Sequence, residues 1–208
     1  MLYLWHEKLK NMNTKTLTLI IVGALILILG GCGCSSYNGL VGGDQSVQQV
    51  WSNVETNYQR RTDLYSSIIK TIEGSANFEK STLKDVLAAR ASATQIKVDI
   101  NDPETLAKYQ AAQGQLQSSF GRLMAVAEAY PNLQTTKAFA DFQAQQEGTE
   151  NRINIARKDY NDAVNGYNLK VKTFPNNIFA GLFGFKAKAY YKADVGSEKV
   201  PDIQFNIK

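Results

Sequence analysis

Cys32 and Cys34 are the only thiols in the sequence, and His6 is its only imidazole. A Cys-x-Cys pair is a soft-metal or redox spacing, yet no other soft ligand lies near it in sequence. From Ser35 to Lys208 the chain has neither His nor Cys. Ser-His-Asp and Cys-His nucleophilic sites therefore cannot be assembled there. The same holds for zinc on imidazole or thiolate and for a di-iron bundle with Glu-x-x-His motifs. No D-x-[DN]-x-[DN]-G loop supports calcium, and no cofactor is expected. Carboxylates remain. Glu147 with Glu150, and Asp159 with Asp162, stand at i,i+3 and share a helix face. Such pairs do acid–base work when burial separates their pKa values. On a long helix they are ordinarily solvated surface, so the expectation is a protein that is not an enzyme.

Arg61 is the other chemically suggestive residue, because it falls on an apolar stripe. Val47, Trp51, Val54, Tyr58, Arg61, Tyr65, Ile68 and Ile72 follow one another at alternating spacings of four and three, the seam of a long helix. Gly74 reads as its C-terminal stop. A second, weaker helix runs from about Glu79 to Val98 on Leu83, Val86, Ala89, Ala93 and Ile96. Asp102 followed by Pro103 reads as an N-cap and first helical position. The third helix carries Leu106, Tyr109, Leu116, Phe120, Leu123 and Ala127 and ends near Pro131. The fourth runs from about Thr136 to Val171, with Phe139, Phe142, Gln146, Thr149, Ile153, Ala156, Tyr160, Ala163 and Tyr167 on its seam. Four such stripes predict an all-α fold: an antiparallel four-helix bundle with long first and fourth helices, preceded by a membrane-anchor segment.

A buried guanidinium needs a partner. Arg61 and the polar part of the fourth seam lie at similar depths, which predicts a buried polar layer. In it Arg61 pairs with Glu150 or Glu147, and Gln146 and Thr149 complete the hydrogen bonds. A register-setting layer is the plain reading and a ligand site the sharper one.

Residues 17–40 carry no charge, and residues 17–29 are nearly all Leu, Ile and Val. That core has signal-peptide length. With the residues up to Tyr37 it approaches the roughly 20 needed to span a bilayer. Lys8, Lys10 and Lys15 precede it and no Lys or Arg follows until Arg60, so the C-terminal part is expected outside the cytoplasmic membrane. Met12 opens a better-proportioned signal than Met1, and either is a candidate start. Leu29-Gly30-Gly31-Cys32 resembles a bacterial lipobox, which would lipidate Cys32. The alternative is an uncleaved span. The expected division is residues 1–34 as signal or anchor, 35–195 as bundle, and 196–208 as flexible tail.

After Pro175, Ile178, Phe179, Leu182 and Phe183 make the greasiest stretch outside the anchor. They are expected either to close the bundle's open end as a lid, or to dip into lipid headgroups with Lys186, Lys188, Tyr190, Tyr191 and Lys192 at the boundary. Residues 200–208 alternate like a lone strand or form a loose tail. Without the first 31 residues the chain keeps 20 basic and 18 acidic residues, a net +2, which gives no reason to expect nucleic acid.

Several stretches together resemble the LemA family: "SYNGLV", "VWSNVETNYQRRTDL", "SSFGRLMAVAEAYPNL", "EGTENRINIARKDYNDAVNGYN", "FPNNIFAGLFGF" and "AYYKA". The resemblance covers about Tyr37 to Phe205. This chain departs from it at Tyr65-Ser66-Ser67, where many relatives have Ile-Pro-Asn, and at Cys32, where most have a plain span. The resemblance implies a membrane-attached bacterial protein with a four-helix bundle, and it implies no reaction and no catalytic residues. The expected role is a tethered envelope scaffold with an envelope protein as partner. The alternative is a lipid or small-ligand binding module at the membrane surface.

Overall fold

A computed structural model of the protein describes residues 14–74 and 79–193. His6, Lys8 and Lys10, and the tail at 196–208 with its strand-like alternation, lie outside the described residues. The described residues form helices and connecting segments, with no strand among them. The elements are α1 (Thr14–Glu73), α2 (Lys80–Gln95), α3 (Pro103–Ala127), α4 (Pro131–Gln134), α5 (Lys137–Lys172) and α6 (Asn176–Phe183).

α1 spans 60 residues without a break, about 90 Å at 1.5 Å per residue. The apolar run and the first amphipathic stripe are thus one rod, and the expected boundary after residue 34 is not marked by any change in backbone. Every stripe residue from Val47 to Ile72 is buried, Arg61 included. The same spacing continues backwards through Gly43, Leu40 and Ser36, which are also buried.

Local chemistry sets the helix ends. The Gly74 N–H bonds the Lys70 carbonyl at 3.2 Å and closes α1. Asp102 caps α3, accepting from the Glu104 N–H at 2.9 Å, with Pro103 at the first helical position. Thr136 caps α5 and Pro175 follows its end. α2 is shorter than its sequence pattern predicts. Ile96 turns extended at ψ 114 and packs its side chain against both core clusters. That burial outweighs one more helical turn, whose propensity is worth only a fraction of a kcal/mol per residue.

One cluster joins Tyr65, Ile68 and Ile72 of α1 to Leu83 and Val86 of α2, Leu116, Phe120 and Leu123 of α3, Leu133 of α4, and Phe139 and Phe142 of α5. The other joins Val47 to Tyr58 of α1 with Leu106 and Tyr109 of α3, Ile153 to Tyr167 of α5, and the outlying Ile100 and Tyr191. Trp51 meets the edges of Tyr109 and Tyr160, with centroids at 5.8 and 5.2 Å. Contacts fix the sense of two helices against α1. Gly43 faces Tyr167, and Arg61 faces Glu150. Tyr65 lies near Phe142. α5 therefore runs opposite to α1. α3 runs with α1, since Trp51 meets Tyr109 and Tyr65 stacks on Phe120 at 3.6 Å.

Candidate functional site

Arg61 sits between the two clusters with its side chain 3% exposed. Its Nη1 lies 3.5 Å from Glu150 Oε1. Its Nη2 donates to the Gln113 side-chain oxygen at 2.6 Å and to the Gln113 carbonyl at 3.2 Å. The guanidinium also lies 4.7 Å from the Tyr58 ring centroid. Burial pushes the neighbouring Tyr65 hydroxyl up to about 12, with Arg61 pulling against that rise and Glu150 adding to it. Burial raises Tyr109 as well, helped by Tyr58 and Glu55.

The other residues expected around Arg61 fall elsewhere. Glu147 is exposed on the outer face of α5, one residue-step of 100° past Gln146. Gln146 is half-buried. Thr149 is buried, but its hydroxyl donates to the Gln145 carbonyl of its own helix at 2.8 Å. Gln113 takes the place assigned to them. It fills the gap between Tyr109 and Leu116 and completes the three–four spacing of α3. That gap in the seam was the signal for it. Of the carboxylate pairs, Asp162 is exposed and bonds Lys158 at 2.7 Å, and Asp159 is exposed. Among the described residues no three His, Cys, Asp or Glu side chains gather as metal ligands. Cys32 and Cys34 are exposed free thiols on α1.

Residues 185–193 form an extended strap along α5, held by side chains rather than by a strand. Asn168 bonds both the N–H and the carbonyl of Lys188, at 2.8 and 2.9 Å. Asn161 does the same for Tyr191, at 2.8 and 2.9 Å. Seven helical residues rise about 10.5 Å and three extended ones about 10 Å, so the two asparagines meet the strap in register. Tyr160 donates to the Ala189 carbonyl at 3.0 Å. The Tyr191 hydroxyl hydrogen-bonds that of Tyr58.

The strap corrects two boundary assignments. Lys188 is buried and pairs with Asp44 at 2.6 Å and Asn101 at 2.7 Å. Tyr191 belongs to the core. An ammonium with an ion-pair partner and a carbonyl-type acceptor is satisfied inside the protein and has no need of lipid phosphate. Lys186, Tyr190 and Lys192 are exposed.

α6 packs against both α1 and α5. Ser36 donates to the Asn176 side-chain oxygen at 2.8 Å. Phe183 and Phe185 stand edge-on to Tyr37, at 5.0 and 5.8 Å. Phe179 presses on Gly33, where an added Cβ would stand 3.2 Å from its ring. Glycine at 33 therefore permits the close approach. The opposite side is bare: Ile178 is 58% exposed and Leu182 74%.

A span of α1 near the N-terminus is long and apolar enough to cross a membrane, and none of it is buried within the protein. The sequence matches the LemA family over residues 50–205. Protein LemA of Metamycoplasma hominis is 27% identical over 156 residues, covering 75% of this chain and 68% of that protein. Magnetosome protein MamQ 2 of Paramagnetospirillum magneticum is 27% identical over 178 residues, covering 75% of this chain and 64% of its own length. Magnetosome protein MamQ of Magnetospirillum gryphiswaldense is 24% identical over 174 residues, with 74% and 64% covered. The chain thus spans a little under two thirds of the magnetosome relatives it matches. With a match across about three quarters of its residues, the chain belongs to the LemA family.

Proposed function

We propose that the protein is a tethered, non-enzymatic envelope protein. Its long helices form an antiparallel four-helix bundle, the apolar start of α1 fixes it to the cytoplasmic membrane, and the bundle stands on the outer side, where it holds another envelope protein. The continuity of α1 from the apolar run into the core carries this reading. Twenty residues from Leu17 cover the roughly 30 Å of hydrocarbon and end at Ser36. The helix rises about 55 Å further to Glu73 as a rigid post. Lys15 before the apolar run, and no basic residue between it and Arg60, orient the post outward.

An uncleaved span fits the unbroken helix better than cleavage before Cys32, although both forms leave the bundle outside. Metabolic labelling with a palmitate analogue separates them. No label, or label that persists in Cys32→Ala, is expected for the span. Protease added to intact spheroplasts is expected to remove a C-terminal epitope. An epitope that survives until detergent is added overturns the outward placement.

A further inference from the structure

Between α1, α3 and α5, with the strap forming one wall, lies a cavity of about 220 Å³. Its lining is almost wholly polar and includes Arg61, Gln110, Gln113, Glu150, Asn154 and Arg157. Two of these side chains are already committed. Gln113 accepts from Arg61, and Arg157 donates to the Lys192 carbonyl at 3.2 Å and lies 4.3 Å over the Tyr191 ring.

Two buried N–H groups of the lining, Arg61 Nε and Gln110 Nε2, have no hydrogen-bond partner within the protein, and Glu150 Oε1 has only the ion pair to Arg61 Nη1 at 3.5 Å. Native interiors pair nearly all such atoms. A polar void of this size takes up water or a small polar ligand to meet them. The set is specific: two N–H donors without a protein partner, one of them on a guanidinium, beside one carboxylate oxygen held only by a long ion pair. A guanidinium N–H with an amide N–H suits the two oxygens of a carboxylate. The Glu150 oxygen suits an ammonium. The volume equals that of about seven waters at ~30 Å³ each, which is ample for a molecule the size of a single amino acid.

We propose that this cavity binds a small zwitterion of the α-amino acid class, its carboxylate taken by Arg61 and Gln110 and its ammonium by Glu150. The inference concerns the helical core alone and does not depend on which side of a membrane that core lies.

The test is calorimetric titration of the full-length protein in detergent. Glycine, L-alanine and L-serine are the probes, and acetate and methylammonium serve as half-ligands. At least one amino acid is expected to bind at a single saturable site, with both half-ligands weaker by about tenfold or more. Glu150→Gln is expected to weaken that binding at least about tenfold. Gly114 lies on the cavity wall and an added Cβ there meets nothing within 4 Å. Gly114→Leu should therefore fill the mouth and abolish binding while the helical circular dichroism and the melting temperature hold or rise. This variant keeps the test decisive if Glu150→Gln fails to fold. The proposal is overturned if no amino acid binds up to about 10 mM, if acetate binds as tightly as the amino acids, or if Gly114→Leu leaves the affinity unchanged.

Discussion

Arg61 and Glu150 show how burial sets the value of one residue through another. Arg61 is 3% exposed and Glu150 26%, so loss of the carboxylate strands a desolvated guanidinium. Glu150→Met is expected to cost about 3 kcal/mol, and the double variant with Arg61→Met to recover most of that. Urea midpoints of the two single variants and the double variant give the coupling. Simple additivity would show that the pair does not interact. The anomaly of Arg61 was legible because a charge stood at a seam position. Gln113 was equally legible, as the position that completes the spacing of α3. The assignment of Gln146 and Thr149 was not secure, because a helix face is about 100° wide per residue-step and Thr149 can satisfy its hydroxyl on its own backbone.

At the scale of elements, helix existence followed from period and several limits from caps, while the early end of α2 at Ile96 and the unbroken start of α1 did not. The strap did not. Its partners are asparagine side chains seven residues apart on another element, and no local pattern in residues 185–193 announces that pairing. Lys188 and Asp44 are separated by most of the chain, which is why Lys188 read as a membrane-boundary residue. Asn168 is buried and makes both bonds to the Lys188 backbone. Asn168→Ala removes two hydrogen bonds and leaves a buried N–H and carbonyl unmet, at a cost of about 2–4 kcal/mol. Asn161 is half-buried, so water replaces part of its loss and Asn161→Ala should cost less. Thermal melts of the two variants test the order; a larger loss at Asn161 would contradict the register described for the strap.

The whole molecule couples a tyrosine-rich core to an apolar stem, and each half makes its own prediction. Burial raises Tyr65, Tyr160 and Tyr167 to about 12. In the unfolded chain these phenols ionise near 10, so above that pH the unfolded state has released protons that the folded state still holds. Stability should therefore be level below about pH 10 and fall as pH rises from 10 towards 12. Urea midpoints across that range check the sign. The stem makes the sharper claim. Phe179 touches Gly33 and Asn176 touches Ser36, and in the tethered arrangement those two α1 residues stand about 24 and 28 Å above Leu17, in the outer edge of the roughly 30 Å of hydrocarbon. The bare face of α6, with Leu182 outermost, then lies at headgroup depth, where an exposed apolar helix face is stable. A Leu182→Trp probe in a Trp5→Phe background reports on this directly. Its emission should be blue-shifted in liposomes and quenched by lipids brominated near the headgroup end of the acyl chain. Trp51 is buried and stands fifteen residues, about 22 Å, further along α1 than Ser36, beyond the reach of those bromines. Emission from position 182 that ignores the brominated lipid would place α6 in water and separate its exposed face from the membrane.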